Sequence, residues 1–325
     1  MVGLDVSVLI RATIESRGAS SMGCYASGWD KWRAWCKLVN RPTWPVTETD
    51  LCLCGCHYTY KGASVSVANN VYSGVVAFVE VFGGSAGHLT GSVLLKNVRG
   101  YVTRHAQVKG RERDPLLLEH VQKIFRDVNW EETVNVRDFV SCLVAWHGFL
   151  RYSEPGGLMV DDVKFNGDHV DLFLKKSKTD RNGVGHHVVI PKLGVEMDPY
   201  TILEFYVKFM GFDQFSAQKT SVSFLFPAIK LRKMGKIAII DSRAVPYNVA
   251  RISFLSLLQK SHIKLDRPGL HSIRVGAATE YTARGASSEV VAHQGRWRTV
   301  SSRMKYQRIR TQQLVEVRKI FEDKK

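Results

Sequence analysis

The first strong pattern along the chain is a stripe: Tyr25, Trp29, Trp32 and Cys36 stand four, three and four residues apart. That spacing lays one apolar face of a helix on a core. Three further segments read as one helix each: VTETDLCLCGCHYTY, ASVSVANNVYSGVVAFVEVF and LTGSVLLKNVRGYVTRHA. Residues 1–108 are therefore expected to form a small all-helical domain. The charged stretch VKGRERDP carries a glycine and closes on a proline, which marks residues 109–115 as a linker. Past it, PLLLEHVQKIF reads as a helix started by Pro115. A longer helix follows, with Phe139, Cys142, Leu143, Trp146, Phe149 and Leu150 on one face, and it delivers Arg151 at its end.

The period then changes from helical to alternating. In VKFNGDHVDLFLKKSKTDRNGVGHHVVIPK, the pairs Asn166-Gly167 and Asn182-Gly183 separate strand-like runs. Asn-Gly between alternating runs is a hairpin signal, because both residues accept the positive φ of a tight turn. A three-stranded antiparallel sheet is expected. Helices resume with DPYTILEFYVKFM and VPYNVARISFLSLLQKS and run on towards the C-terminus. Residues 116–325 thus read as a mainly helical α+β domain with one small sheet.

Composition narrows the partners. The chain has 325 residues, 46 Lys and Arg against 30 Asp and Glu, and a net charge of +16. Such a surplus suits a polyanion, either nucleic acid or an acidic membrane surface. The longest apolar run, VYSGVVAFVEVFGG, is interrupted by Glu80 and is shorter than the roughly 18 residues a bilayer crossing needs, so no membrane span is expected. The opening MVGLDVSVLIRATIE lacks a basic leader and does not read as a secretory signal. The expected location is intracellular, in a prokaryotic cytoplasm or a eukaryotic nucleus. Six cysteines fit a reducing compartment. CLCGCH, Cys52 to His57, lacks a second ligand pair at zinc spacing and reads as core, so no metal and no cofactor are expected.

Chemistry concentrates late in the chain. His271 and Arg274 stand three apart in LHSIRVGAATEY, which places them on one helix face, and Gly276, Ala277 and Ala278 behind them allow close packing. An isolated H-x-x-R is usually no more than two solvated side chains, so the argument rests on its neighbours. Downstream, GRWRTVSSRMKYQRI sets Trp297 nine residues before Tyr306. Upstream, GFLRYSEPGGL sets Glu154 three residues after Arg151, and KKSKTDR brings Lys176 and Lys178 beside a sheet turn.

This ordered set resembles the tyrosine recombinases, also called the lambda-integrase family, and most of all its Cre-like and mobile-element members. The resemblance is carried by HSIRVGAATEYTARGASSEVV, then GRW, then MKY, with Arg151-x-x-Glu154 and Lys178 filling the earlier positions. It implies a DNA-breaking-rejoining enzyme fold, mainly α, with a helical N-terminal core-binding (SAM-like) domain. It also implies a site-specific DNA recombinase working through a 3'-phosphotyrosine, without metal or ATP. In that scheme Tyr306 is the nucleophile. Arg151 and Arg274 clamp the nonbridging oxygens with planar five-donor forks, which a lysine would lack. His271 manages the proton, and Lys178 is the general acid, with Lys176 left open for that role. Trp297 donates its indole N–H to a phosphate oxygen, and Glu154 orients an arginine.

Ten Lys and Arg against three Asp and Glu from residue 293 onward suit a phosphate backbone, and Lys176, Arg181, Arg296, Arg298 and Arg303 are expected to touch DNA. Leu314, Val317 and Phe321 form a stripe on a terminal helix. The resemblance implies that it docks into a neighbouring subunit, giving a homotetramer on double-stranded DNA and a monomer or dimer off it; the alternative is a tail folded back on its own core. Two alternatives stay open: a catalytically silent DNA-binding protein of the same fold, and a telomere resolvase or type IB topoisomerase-like enzyme.

Overall fold

A computed structural model describes residues 19–82, 84–106, 112–175, 177, 180, 183–212, 223–231 and 238–307. The chain divides into two compact units between Arg111 and Glu112.

Among the described residues the elements of the first unit are all helices: α1 (Ala19–Leu38), α2 (Glu48–Tyr60), α3 (Val65–Val81), the single turn α4 (Gly87–Thr90) and α5 (Val93–His105). Its core is built on Trp32, Cys36, Leu51, Cys54, Val71 and Val75. Helices α1 and α3 cross at their glycines. A Cβ on Gly28 would stand 2.0 Å from the Asn70 carbonyl oxygen, and one on Gly74 would stand 2.5 Å from that of Tyr25. The segment expected as one helix over 89–106 breaks at Gly91. Ser92 starts α5 anew, its hydroxyl accepting from the Leu95 N–H and donating to Glu48 at 2.8 Å. Cys52 and Cys54 are core residues, and burial raises both thiols, Cys52 to about 11.

The second unit is built around α7 (Thr133–His147), of which Phe139, Val140, Leu143 and Val144 are fully buried. Around it pack α6 (Leu118–Asp127), α8 (Pro199–Phe209), α9 (Tyr247–Lys260) and α10 (His271–Ala283), followed by α11 (Ser288–Gly295) and α12 (Val300–Met304). Two expected boundaries move. Helix α6 begins at Leu118 rather than Pro115, because Leu116 is held by α10: its N–H donates to the Ser272 carbonyl at 2.9 Å. Helix α7 ends at His147, four residues short of Arg151. Gly148 caps it and Phe149 turns left-handed at φ 48°, which sends Phe149 and Leu150 into the core from a loop.

The sheet runs β1 (Val163–Phe165), β2 (His169–Leu174), β3 (His186–Pro191), antiparallel throughout, with Val170 opposite Ile190 and Leu172 opposite Val188. Val170, Leu172 and Leu174 alternate inward, the period-two pattern of a half-buried strand. A second, two-stranded sheet joins β4 (Pro227–Leu231) to β5 (Ala238–Ala244). It has no counterpart in the sequence expectation. Its first strand opens on a proline, which cannot donate to a ladder, and the pairing is irregular between Pro227 and Ile229. Among the described residues no helix is long and apolar enough to cross a membrane.

Candidate active site

Helix α10 is pressed into the unit by small residues. A Cβ on Gly276 would lie 1.8 Å from the Leu116 carbonyl oxygen, and Ala277 and Ala278 are fully buried. The same carbonyl accepts from the Trp146 indole N–H at 2.9 Å. This close seat fixes the depth at which α10 presents its first turn.

The two residues of that turn part company. His271 is exposed, while Arg274 has no exposed surface. The Arg274 fork is enclosed: Nη1 donates to the Phe149 carbonyl, Nη2 donates to the Gly295 carbonyl, and buried Nε has no partner among the described residues. Its Cζ lies 4.7 Å from the Trp297 ring centroid and 5.3 Å from that of Tyr306, within cation–π range. Burial, then the neighbouring guanidinium groups of Arg151 and Arg296, pull Arg274 down to about 9, so it remains a cation at neutral pH. Those three arginines face a single carboxylate, Glu154.

Glu154 is 3% exposed. Its Oε1 accepts from Arg151 Nη1 at 2.9 Å, and its Oε2 from the Arg151 backbone N–H at 2.7 Å and from Arg296 Nη2 at 2.6 Å. One carboxylate therefore holds Arg151 by both side chain and main chain. Charge-assisted bonds of this kind are roughly twice as strong as neutral ones.

Arg296 departs from the expectation that it touches DNA. Its side chain is 6% exposed and its Nη atoms also donate to the carbonyls of Gly148, Phe149 and Gln294. The reason is local. Arg296 caps α11 in the left-handed conformation, φ 52° and ψ 42°, and this turn swings the side chain back onto Glu154. A residue with a Cβ there is strained by roughly 1–2 kcal/mol, and glycine is the usual occupant.

Tyr306 follows α12. Its N–H donates to the Arg303 carbonyl at 2.8 Å, and the next side chain, Gln307, donates to the Thr282 hydroxyl of α10 at 2.7 Å. The ring thus sits between His271, centroids 4.8 Å apart, and Trp297, centroids 4.9 Å apart. The Trp297 indole N–H is buried and unpartnered among the described residues, a donor with no acceptor. Arg298 is exposed; Arg303 is half-buried and gives Nη1 to the Ser288 carbonyl at 2.8 Å. The expected Lys176, Lys178 and Arg181, and the terminal stripe Leu314, Val317 and Phe321, lie outside the described residues. Lys175, which is described, pairs with Asp162 at 2.7 Å.

The structure therefore gathers Arg151, Glu154, His271, Arg274, Trp297 and Tyr306 from four separate stretches of chain. It adds Arg296 as a third buried arginine, where the sequence pointed to a DNA contact. The available signal was GRW itself, an arginine directly after a helix-ending glycine. Among the described residues no group of His, Cys, Asp and Glu could hold a metal ion. What the arrangement offers instead is a phenol beside concentrated fixed positive charge.

No family model matches the chain. An integrase/recombinase xerD homolog of Selenomonas ruminantium is 23% identical over 184 residues, 54% of this chain and 52% of that protein, so the chain spans about half the length of the curated relative it matches. Solved structures match more of it. A lambda integrase (75-356) dimer bound to a COC' core site aligns over 94% of this chain and 95% of its own, with TM-score 0.60 and 17% identity. XerH site-specific recombinase bound to palindromic difH substrate aligns over 85% and 70%, with TM-score 0.55 and 12% identity. The Tn1549 transposon integrase in complex with circular intermediate DNA aligns over 84% and 85%, with TM-score 0.51 and 13% identity. With a helical first unit and a mainly helical second unit carrying a small antiparallel sheet, the chain has the fold of the tyrosine recombinases.

Proposed function

We propose that the protein is a site-specific DNA recombinase that cleaves and rejoins double-stranded DNA through a tyrosyl ester. The observation that carries this is the seating of the Tyr306 ring 5.3 Å from the Arg274 guanidinium and 4.8 Å from the His271 ring. The Tyr306 Oη attacks the scissile phosphorus as its proton passes to His271. The P–O5' bond breaks, the tyrosine becomes esterified to the 3' phosphate, and the departing 5' oxygen takes its proton from Lys178. The ester conserves the energy of the broken bond, so a second 5' hydroxyl displaces the tyrosine without ATP. With nucleophile, cations and proton donors all on side chains, the reaction draws on no metal.

Charge balance supports the assignment. Arg151, Arg274 and Arg296 carry three positive charges against the one of Glu154, and the excess of two matches the phosphorane's growing negative charge. Arg274 meets a phosphate only after exchanging the carbonyls of Phe149 and Gly295 for phosphate oxygens. The indole N–H of Trp297 supplies a further donor, but it does not move a proton. Relatives in the structural comparisons are described as dimers and, in one lambda integrase structure, as a tetramer on a Holliday junction. On the present reading this chain likewise acts as a homotetramer on its site.

The test is a nicked suicide duplex, selected for binding from a randomised pool. Wild type is expected to yield a denaturant-resistant protein–DNA adduct, and Tyr306→Phe to bind equally while yielding none. Binding without any wild-type adduct would instead identify a silent DNA-binding protein.

A further inference from the structure

We infer that Arg296 is a positioning residue that acts through Glu154 to aim Arg151 at the scissile phosphate. The inference rests on the recombinase reading above and deepens it. Three observations converge. Arg296 occupies a left-handed helix cap, φ 52°, where any side chain meets steric resistance and glycine meets none. Yet the side chain is not discarded into solvent: it is 6% exposed and satisfies four acceptors, the carbonyls of Gly148, Phe149 and Gln294 and the Glu154 carboxylate. And Glu154, 1% exposed at its side chain, is the group that grips Arg151 at both Nη1 and the backbone N–H.

Glu154 would otherwise be a buried carboxylate with one partly exposed counter-ion, since the Arg151 side chain retains 17% exposure. A carboxylate so placed follows its partner when a phosphate pulls on that partner. Anchored from behind by a second fork at 2.6 Å, it stays put, and the Arg151 Nη1 bond is made against a fixed point. The carbonyls that Arg296 holds include Phe149, which is also an acceptor for Arg274. One side chain therefore fixes the surroundings of both arginines expected to clamp the phosphate. A lysine at this place keeps the charge but loses the planar two-atom reach that spans Glu154 and the 148–149 carbonyls.

The experiment is single-turnover cleavage of the suicide duplex at saturating protein, together with the dissociation constant for an intact duplex. Arg296→Gly removes the fork and relieves the strained cap, but it leaves Glu154 with one counter-ion. The variant is therefore expected to fold and to melt below wild type, and rates are compared at a temperature where both are folded. Its cleavage rate is expected to fall ten- to a hundredfold, with DNA affinity within twofold of wild type. Millimolar methylguanidinium is expected to restore part of the rate, and Arg296→Lys to remain slow. Combined with Glu154→Gln, the loss is expected to be far less than the product of the two single losses, because both substitutions break the same link. Cleavage by Arg296→Gly at the wild-type rate would overturn the inference while leaving the recombinase reading intact. So would a weakening of DNA affinity that accounts for the whole loss, or losses that multiply with Glu154→Gln. Absence of an adduct from wild type would sink the recombinase reading itself.

Discussion

Gly276→Ala perturbs the seat of α10, and its consequence follows from three distances. The added methyl would stand 1.8 Å from the Leu116 oxygen, 2.4 Å from its carbonyl carbon and 2.7 Å from its nitrogen, all backbone atoms with no rotamer to escape by. An ordinary contact needs about 3.5 Å or more, so helix and strap must separate by between one and two ångströms. Overpacking of that kind costs roughly 1–3 kcal/mol. Separation also stretches two hydrogen bonds, Leu116 N–H to the Ser272 carbonyl and the Trp146 indole to the Leu116 carbonyl, each 2.9 Å long and each worth about 1 kcal/mol. The sum, about 3–5 kcal/mol, is a large share of the 5–15 kcal/mol typical of a domain. Urea unfolding measures it, with hydrogen exchange over residues 271–283 reporting on α10 separately. Because the displaced helix carries His271 and Arg274, cleavage should fall about a hundredfold in whatever fraction stays folded. A loss below 1 kcal/mol with α10 amides protected as in wild type would refute the reasoning.

Two further substitutions probe other parts of the second unit. Burial drives His147 down from 6.5 to about 4. Its folded-state value lies below its unfolded one, so the stability it contributes is complete above pH 6.5 and is lost as pH falls towards 4. The loss is roughly 3 kcal/mol across that window, and His147→Gln should flatten this slope in urea midpoints measured from pH 7 to pH 4. Arg274→Ala removes a cation packed against Trp297 and Tyr306. It should slow cleavage by about a hundredfold or more while the duplex dissociation constant changes little, and equal losses of both would count against a role in transition-state stabilisation.

Much of this was legible in the sequence because it is local. The stripe from Tyr25 to Cys36, the Asn166-Gly167 hairpin and the alternation of Val170, Leu172 and Leu174 each depend on neighbours a few residues away. The ordered H-x-x-R, GRW and MKY elements likewise single out His271, Arg274, Trp297 and Tyr306. What stayed hidden is set by distant contacts. The start of α6 depends on a bond from Leu116 to Ser272, and the end of α7 on a left-handed Phe149. The direction of Arg296 depends on a carboxylate 142 positions earlier in the chain. The β4–β5 pair escaped notice because its first strand opens on a proline and carries an irregularity.

The enclosure of Arg274 also bears on selectivity. Two carbonyl oxygens occupy its Nη donors and a phenol ring lies beside it, so the resting molecule already carries its own surrogate for the substrate's oxygens. On the recombinase reading, a phosphate reaches Arg274 only by displacing those carbonyls, and the bonds given up subtract from what the new ones release. A small anion diffusing in from solution has no other contacts to set against that cost. A duplex gripped along many phosphates has binding energy to spend on that exchange. Length of the ligand, rather than affinity for a single phosphate, then decides what gets in.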